Sequence, residues 1–198
     1  MWHWALASAT LVAALAVTSP ARAETIILFA ADAPAGDLAF NAIDDRVMGG
    51  VSRSRMGVSG TGTLVFEGHV SLESGGGFAS VRSSPLTAKL GGTSALMLVA
   101  RGDGKRYKLS LRTDENPDGV QYQASFVAPA TQWREIVLPF GEFVPVFRGR
   151  PVPAAPPLDP AAITTIGVVI ADRQAGGFRL EIRRIAAVRD RRAASDSR

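Results

Sequence analysis

The amino-acid sequence predicts an all-β protein whose strands form an antiparallel β-sandwich or jelly roll. Apolar and polar residues alternate with a period of two in several short runs, which is the pattern of half-buried strands. Glycine-rich turns separate these runs at short intervals, as they do in sandwiches and jelly rolls. Apolar spacing typical of a long amphipathic helix is hard to find beyond the N-terminal segment.

Four runs show the alternation directly. In each run, one set of side chains is expected to face a core and the other to face water. The core-facing sets are Leu64, Phe66, Gly68, Val70 and Leu72; Tyr107, Leu109 and Leu111; Tyr122, Ala124 and Phe126; and Phe178, Leu180 and Ile182. Continuous apolar runs predict four further strands, which are expected to be buried more deeply than the alternating ones. They are Ile26–Ala30, Ala95–Ala100, Ile136–Phe140 and Ile166–Ala171.

Turn residues divide these strands. The predicted turns are Gly60–Gly62, Gly75–Gly77, Gly102–Gly104, Asn116–Gly119 and Gly176–Gly177. The segments Arg101–Tyr107 and Ala171–Phe178 are accordingly expected to be hairpins. Pro151–Pro160 is proline-rich and predicts an extended surface loop, with Asp159 capping a short helical turn that begins at Pro160.

The chain is predicted to consist of a signal peptide (1–23), one β-sandwich domain (24–188) and a disordered basic tail (189–198). Trp2–Val17 is predominantly apolar, and Ala21–Ala23 provides a small-x-small cleavage site. The apolar run is shorter than the ~20 residues of a membrane-spanning helix. We therefore expect cleavage before Glu24, a periplasmic or secreted bacterial location, and no membrane span in the mature chain.

Composition excludes several classes of function. The chain has no cysteine, so it forms no disulfide and performs no thiol chemistry. Much of its net charge of +4 comes from arginines near the C-terminus, which gives little support to nucleic-acid binding. After the signal, His69 is the single histidine, which disfavours a Ser-His-Asp triad and a zinc site. Neither a dinucleotide-binding nor a Walker motif is present, so we expect no cofactor and no metal.

Clusters that combine glycine with charged residues supply the candidate binding site. Its residues are Asp44, Asp45, Arg46, Met48 and Ser52; Phe78, Ser80 and Arg82; Arg101 and Asp103; Arg148; and Asp172. The segment from Asp44 to Ser52 is either a tight turn with Asp45 bonded to backbone N–H groups, or a loop that directs oxygens toward a ligand or hard cation. The first three groups are expected to form one patch, with Arg82 either paired with Asp45 or Asp103 beneath the surface or exposed in a groove.

These clusters resemble, in the same order, the complex I intermediate-associated protein 30 family. The matching segments are Asp45–Ser52, Gly76–Arg82, Arg101–Gly104 with Tyr107, Trp133, Pro139–Phe140, Phe143, Phe147–Arg150, Asp172 and Gly177–Phe178. The resemblance extends over roughly Leu28 to Val188, and Phe40 stands where the family commonly carries tryptophan. It implies a jelly roll like that of galactose-binding domains. It also implies a non-enzymatic, chaperone-like role in holding assembly intermediates of respiratory complex I.

Three functions follow from the sequence. The leading hypothesis is a non-enzymatic binding module that engages a protein partner in the periplasm, with a membrane respiratory complex as one candidate. The first alternative is a carbohydrate-binding module that uses Trp133, Tyr107 and Tyr122, unless these aromatic residues belong to the core. The second alternative is a glycosidase that uses two carboxylates from Asp45, Asp103 and Asp172.

Overall fold

A computed structural model describes residues 24–33, 38–114, 116 and 118–189, and within them thirteen strands form two antiparallel sheets. Sheet 1 contains β1 (Thr25–Ala30), β3 (Arg53–Val58), β4 (Leu64–Val70), β6 (Ala95–Arg101), β9 (Arg134–Pro139) and β13 (Gly176–Val188). Sheet 2 contains β2 (Phe40–Ala42), β5 (Ala79–Ser83), β7 (Arg106–Arg112), β8 (Gln121–Val127), β10 (Val144–Phe147), β11 (Arg150–Pro151) and β12 (Thr165–Ile170). The predicted all-β sandwich is confirmed.

The order of the strands places the longest one in the middle of sheet 1. That order is β3-β4-β13-β6-β9, and β1 also pairs with β13. On one side of β13, the first half of the strand pairs with β4 and the second half pairs with β1. On its other side, β13 pairs with β6. Sheet 2 has the order β11-β10-β8-β7-β12-β5-β2.

Helical structure among the described residues consists of short 3-10 turns. They span Asp45–Met48, Glu73–Gly75, Phe140–Glu142 and Pro160–Ala162. The last of them confirms the predicted turn after the proline-rich loop. The Asp159 carboxylate accepts a hydrogen bond from the Ala161 N–H at 2.9 Å, so it caps the turn from its N-terminal side.

The core lies between the two sheets and is centred on aromatic rings from both. Phe66 and Phe178 from sheet 1 pack with ring centroids 4.8 Å apart. Phe66 also meets Tyr107 of sheet 2 at 6.3 Å, and Tyr107 stacks on Phe126 at 6.1 Å. The predicted core-facing residues of all four alternating runs are buried, except that Gly68 is only partly buried and that Leu72, which follows the end of β4, is exposed.

Several predictions of local structure are wrong. Ile26–Ala30 and Ile136–Phe140 are expected from the sequence to form deeply buried strands, but Ile27 of β1 is 45% exposed and Val137 of the edge strand β9 is 49% exposed, because each of these strands pairs on one side only. The segments predicted as hairpins are connections between the sheets, because β6 and β13 belong to sheet 1 whereas β7 and β12 belong to sheet 2. Gly176 and Gly177 are accordingly the first residues of β13 rather than a turn.

The ends of the domain meet in sheet 1. The backbone N–H of Arg189, the first residue of the predicted tail, donates to the Glu24 carbonyl at 3.0 Å and continues the pairing of β1 with β13. Residues 1–23, which include the predicted signal, and residues 190–198 of the predicted tail lie outside the described residues.

Candidate functional site

The deepest polar group of the predicted site is Asp45, which is fully buried. Its Oδ1 accepts a hydrogen bond from the Ser52 N–H at 2.9 Å. Its Oδ2 accepts from the Ser52 hydroxyl at 2.5 Å and from the N–H groups of Gly77 at 2.8 Å and Phe78 at 3.3 Å. Burial acts to raise the pKa of Asp45, but the hydrogen bonds outweigh it and hold the pKa below the ordinary aspartate value. Asp45 is therefore an ionised structural anchor, in agreement with the turn interpretation.

Asp44 makes a second set of bonds that joins the two sheets. Its carboxylate accepts from the Ser54 N–H at 2.8 Å, the Ser54 hydroxyl at 2.6 Å and the Ser80 N–H at 3.1 Å. Ser54 lies in β3 of sheet 1, and Ser80 lies in β5 of sheet 2. We call Asp44 and Asp45 together the carboxylate latch, because both bind backbone groups that lead into β3 and β5.

Glycines of the family-like segments Asp45–Ser52 and Gly76–Arg82 make room for this latch. A Cβ atom on Gly50 would lie 2.3 Å from the Asp45 Oδ1 atom, and one on Gly76 would lie 2.6 Å from Oδ2. Gly49 ends the 3-10 turn with a φ of +90°, which a residue with a side chain rarely adopts. The glycines therefore let the backbone close around a buried carboxylate, and they do not form an open ligand loop.

Arg82 projects from the outer face of sheet 2, away from the core. Its strand neighbours Val81 and Ser83 are buried, whereas Ser80 and Arg82 are partly accessible. Among the described residues, no hydrogen bond or ion pair reaches the Arg82 guanidinium. Partial burial lowers the pKa of Arg82, and the neighbouring Arg112 lowers it further. Of the two alternatives for Arg82, the pairing with Asp45 or Asp103 is not observed, because Asp45 accepts from Ser52, Gly77 and Phe78 and Asp103 accepts from Tyr107, Lys105 and Arg179.

A small polar pocket lies beside Arg82, and we call it the Gly167 pocket. Gly167 stands in register with Arg82 on one side and Ser110 on the other, so the sheet presents a hollow between them. The cavity has a volume of about 20 Å³. Its polar lining consists of Ser80, Arg82, Ser110, Arg112, Gln121 and Thr165. The Ser110 hydroxyl donates to the Gln121 Oε1 at 2.7 Å.

The pocket contains residues that the sequence analysis missed. Ser110 and Arg112 are almost fully buried, although they lie on the outward phase of β7. The Thr165 Oγ1 is buried and has no hydrogen-bond partner in the described part of the chain. The available signal was the polar phase of the alternating runs, which places Ser110 and Gln121 opposite the core-facing phase. Their convergence depends on the strand order β8-β7-β12-β5, which the alternation does not reveal.

Arg101 belongs to a different surface, the outer face of sheet 1. It donates to Glu181 at 2.8 Å, Glu181 also accepts from Arg179, and Arg179 in turn pairs with Glu67. Arg55 extends this chain of alternating charges at the far end by pairing with Glu67. The hydrogen bond from Arg55 and the charge of Arg179 hold the pKa of Glu67 below its ordinary value. Burial acts to raise the pKa of Glu181, but its two arginine partners lower it overall.

The ring of Trp133 lies at the Arg101 end of this chain of charges. The Arg101 guanidinium lies 4.7 Å from the centre of the Trp133 ring system, and the Arg183 guanidinium lies 4.8 Å from it. Such cation–π contacts stabilise both arginines over the aromatic face. Tyr107 and Tyr122, the other aromatic residues considered for sugar binding, are buried in the core.

Asp103 is exposed but bound on several sides. It accepts hydrogen bonds from the Tyr107 hydroxyl at 3.1 Å, the Arg179 N–H at 3.0 Å and the Lys105 N–H at 3.1 Å. Burial raises the pKa of Tyr107 well above the ordinary tyrosine value, and the charge of Asp103 raises it further. Asp103 also lines a shallow groove of about 640 Å³ with Ser54 and Phe178.

The remaining predicted site residues lie apart from these clusters. Asp172 pairs with Lys108 at 2.6 Å, and Arg148 pairs with Asp118 at 2.8 Å. The backbone of Arg46 and Met48 belongs to the 3-10 turn of the latch, and both residues are exposed.

The expected single patch is therefore only partly correct. Asp44 contacts Ser80, and Ser80 shares the outer face of sheet 2 with Arg82. Arg101 lies on the opposite outer face of the sandwich, bound to Glu181 of β13. The sequence could not distinguish these locations, because the connection after β6 crosses from one sheet to the other.

The described ranges show neither a metal-binding cluster nor a helix that could span a membrane. No group of three or more potential ligand side chains is arranged to hold a metal ion. No helix in these ranges has the length and apolar character required to cross a membrane.

Comparison with solved structures gives matches over most of the chain. The family 11 carbohydrate-binding module of a cellulosomal cellulase of Clostridium thermocellum matches with a TM-score of 0.62 and 12% identity, covering 86% of this chain and 97% of the module. The same type of module, solved with a mixed-linked tetrasaccharide, matches with a TM-score of 0.57 at 13% identity over 82% of this chain and 95% of the module. A family 29 module solved with mannohexaose matches with a TM-score of 0.52 at 11% identity, covering 84% and 92%. At these identities the matches establish the fold alone.

Sequence relatives give the family. An uncharacterized protein of Schizosaccharomyces pombe is 29% identical over 169 residues, covering 75% of this chain and 77% of the relative. A probable mitochondrial complex I intermediate-associated protein 30 of Caenorhabditis elegans is 31% identical over 152 residues. That match covers 67% of this chain and 44% of the nematode protein, so the chain spans less than half of that relative. A profile of the same family matches residues 29–182. The chain belongs to the complex I intermediate-associated protein 30 family.

Proposed function

We propose that this chain is an exported, non-catalytic binding module that engages a protein partner through the outer face of sheet 2. The observation that carries the proposal is the contrast between Arg82 and the candidate carboxylates. Asp45, Asp103 and Asp172 are each engaged by donors of the chain itself. The Arg82 guanidinium lies on a polar sheet face without such a partner among the described residues.

The family supports the choice of a protein partner. Relatives in nematodes carry the name of a complex I intermediate-associated protein, and this chain shares their domain. We propose an assembly or chaperone-like role, with a membrane respiratory complex as the candidate partner. The engagement of Asp45, Asp103 and Asp172 leaves little support for a pair of carboxylates acting on a glycosidic bond.

Affinity capture from detergent-solubilised membranes of the native host tests the proposal. We expect the wild-type chain to enrich a membrane protein reproducibly, as identified by mass spectrometry. The Arg82→Glu variant should lose that protein, whereas Arg134→Glu, a matched change at an exposed arginine on sheet 1, should retain it. Equal capture by both variants, or capture of nothing specific by the wild type, would reject a protein-binding face on sheet 2.

A carbohydrate ligand is the second candidate. It is favoured by the polar side chains on the outer face of sheet 2 and by the glycan complexes of proteins with this fold. Core burial of Tyr107 and Tyr122 removes two of the aromatic platforms that the sequence suggested. A glycan array probed with the wild-type chain and Arg82→Glu separates the candidates, since saturable binding of a neutral glycan would favour the sugar.

Export is proposed on sequence grounds. The apolar segment before Ala21–Ala23 predicts that the mature chain begins at Glu24 in the periplasm. The intact mass of the protein from a periplasmic fraction tests this. A species that retains Trp2 and Trp4 in that fraction would instead indicate an uncleaved anchor.

A further inference from the structure

The Gly167 pocket combines positive charge with a hydroxyl that has no partner among the residues the structure describes. Arg82 and Arg112 both line it, and the charge of Arg112 is close enough to contribute to the lowered pKa of Arg82. Asp114 lies near both arginines and is 3.4 Å from the Arg112 Nη2 atom, but it is half exposed and does not line the cavity. Among the described residues around the pocket, two guanidinium groups against one nearby carboxylate leave an excess of one positive charge. A monovalent anion neutralises this excess.

The size of the cavity restricts which anion enters. Its volume of about 20 Å³ exceeds the ~10–15 Å³ that one water-sized atom requires, and it falls short of a whole phosphate or sugar ring. A carboxylate is flat and can insert one oxygen while the other remains at the mouth. A phosphate or sulfate dianion could also insert one oxygen, but its two negative charges exceed the single positive charge to be neutralised.

The polar lining matches such an oxygen. The Thr165 Oγ1, buried and without a partner in the described ranges, is placed to donate to it. The Arg82 guanidinium has N–H groups that no described residue accepts from, and such groups form stronger hydrogen bonds with an anionic acceptor than with a neutral one. Gly167 leaves the floor open, and a side chain cannot be added there because its Cβ would lie 2.5 Å from the Val81 carbonyl oxygen.

We propose that the Gly167 pocket binds a carboxylate group and that this carboxylate belongs to an acidic segment of the protein partner. This inference rests on the proposed function, since it specifies which chemical group of the partner the outer face of sheet 2 recognises. A carboxylate oxygen in the cavity accepts from Thr165, and the second oxygen accepts from Arg82 at the mouth. Arg112 is held in place by the Asn116 carbonyl and contributes positive charge.

Nuclear magnetic resonance of the full chain tests the pocket directly. The signals to follow are the Arg82 Nε–Hε group and the backbone amides of Thr165 and Gly167. The probes are sodium acetate, a hexapeptide of alternating aspartate and glutamate, its amide counterpart made of asparagine and glutamine, and a glucuronate oligosaccharide. Sodium chloride at equal ionic strength controls for screening.

We expect acetate and the acidic peptide to shift these signals saturably, and the amide peptide to leave them unchanged. Chloride should shift them less than acetate does, because a single atom cannot accept from Thr165 in the cavity and from Arg82 at the mouth at the same time. Arg82→Gln should weaken binding of the acidic peptide about tenfold or more, because it removes a charge-assisted hydrogen bond. Thr165→Val removes the hydroxyl at nearly constant volume and should weaken it several-fold. Arg134→Gln, an exposed arginine of β9, should bind as the wild type does. Thermal melts of each variant confirm that it is folded.

Three results would overturn the inference. Shifts with acetate no larger than those with chloride would mean that the pocket does not select a carboxylate. Equal binding by folded wild-type, Arg82→Gln and Thr165→Val proteins would place the carboxylate elsewhere. Tighter binding of the glucuronate oligosaccharide than of the acidic peptide would replace the protein partner with an acidic sugar. If the partner is captured but acetate and the acidic peptide do not shift the pocket signals, the pocket is refuted and the proposed function stands. If these probes shift the pocket signals but capture does not depend on Arg82, the proposed function is refuted and carboxylate binding by the pocket stands.

Discussion

Replacing Asp45 by asparagine should destabilise the domain strongly, although the two side chains have almost the same shape. One oxygen of Asp45 accepts a single donor, from Ser52, and the other accepts three donors. Asparagine can keep an oxygen on the crowded side, but its amide then faces the buried Ser52 N–H. The free energy of unfolding should fall by about 3 kcal/mol. The substitution removes one charge-assisted hydrogen bond, leaves the buried Ser52 N–H without an acceptor and weakens the other bonds.

Differential scanning calorimetry and urea unfolding measure this cost. For a domain of this size, about 3 kcal/mol lowers Tm by roughly 6–12 °C. Asp118→Asn is the matched control, because Asp118 makes an exposed ion pair with Arg148. An exposed pair of this kind contributes less than about 1 kcal/mol. An Asp45→Asn protein as stable as the Asp118→Asn protein would refute the interpretation of Asp45 as a structural anchor.

The same variant should change the response to acid. The folded-state pKa of Asp45 is lowered, so its contribution to stability is present above the ordinary aspartate pKa of about 4 and is lost as the pH falls through the folded-state value. Urea midpoints of the wild type should therefore fall more steeply below about pH 4 than those of Asp45→Asn. Parallel pH profiles of the two proteins would contradict this.

Three further predictions concern other parts of the sandwich. Gly68→Ala should lower the free energy of unfolding by about 1–3 kcal/mol, because the new Cβ would lie 2.0 Å from a carbonyl oxygen of β3. Gly57→Ala on the neighbouring strand is the control: its Cβ meets nothing within 4 Å, so urea unfolding should show no change. The lowered pKa of Glu181 means that its contribution is present above about pH 4.3 and is lost on acidification, so Glu181→Gln should flatten the acid limb of a stability profile. Because the pKa of Tyr107 is raised in the folded state, the unfolded chain loses the Tyr107 hydroxyl proton at a lower pH than the folded chain does. The stability of the wild type should therefore fall as the pH rises above about 10, and that of Tyr107→Phe should fall less. Equal slopes of stability against pH in this alkaline range would contradict the prediction.

Much of the fold could be predicted because alternation reports directly on which side chains face a core. Phe66, Tyr107 and Phe178 were assigned to the core from this pattern alone, and they form its aromatic centre. The pattern does not report on the position of a strand within a sheet. Val137 lies in an apolar run and yet is exposed, because β9 has a neighbour on one side only.

The candidate site was predictable to a smaller extent. The glycines around Asp45 suggested a tight turn with backbone hydrogen bonds, and that turn is present. The location of Arg101 could not be deduced, because a short connection looks the same whether it forms a hairpin or crosses between sheets. Thr165 was missed because its importance depends on neighbours from other strands that are distant in the sequence.

The position of β13 has a consequence for how the chain acquires its fold during synthesis. This strand is the last of the described strands to leave the ribosome, yet it holds β1, β4 and β6 together. Sheet 1 therefore cannot form until residues 176–188 are available, and the chain remains without its central pairing partner during most of translation. Such long-range pairing makes folding late and slow. A nascent chain kept open in this way exposes apolar surface and unpaired strand edges until its last described strand has emerged, so it is expected to depend on chaperones during synthesis.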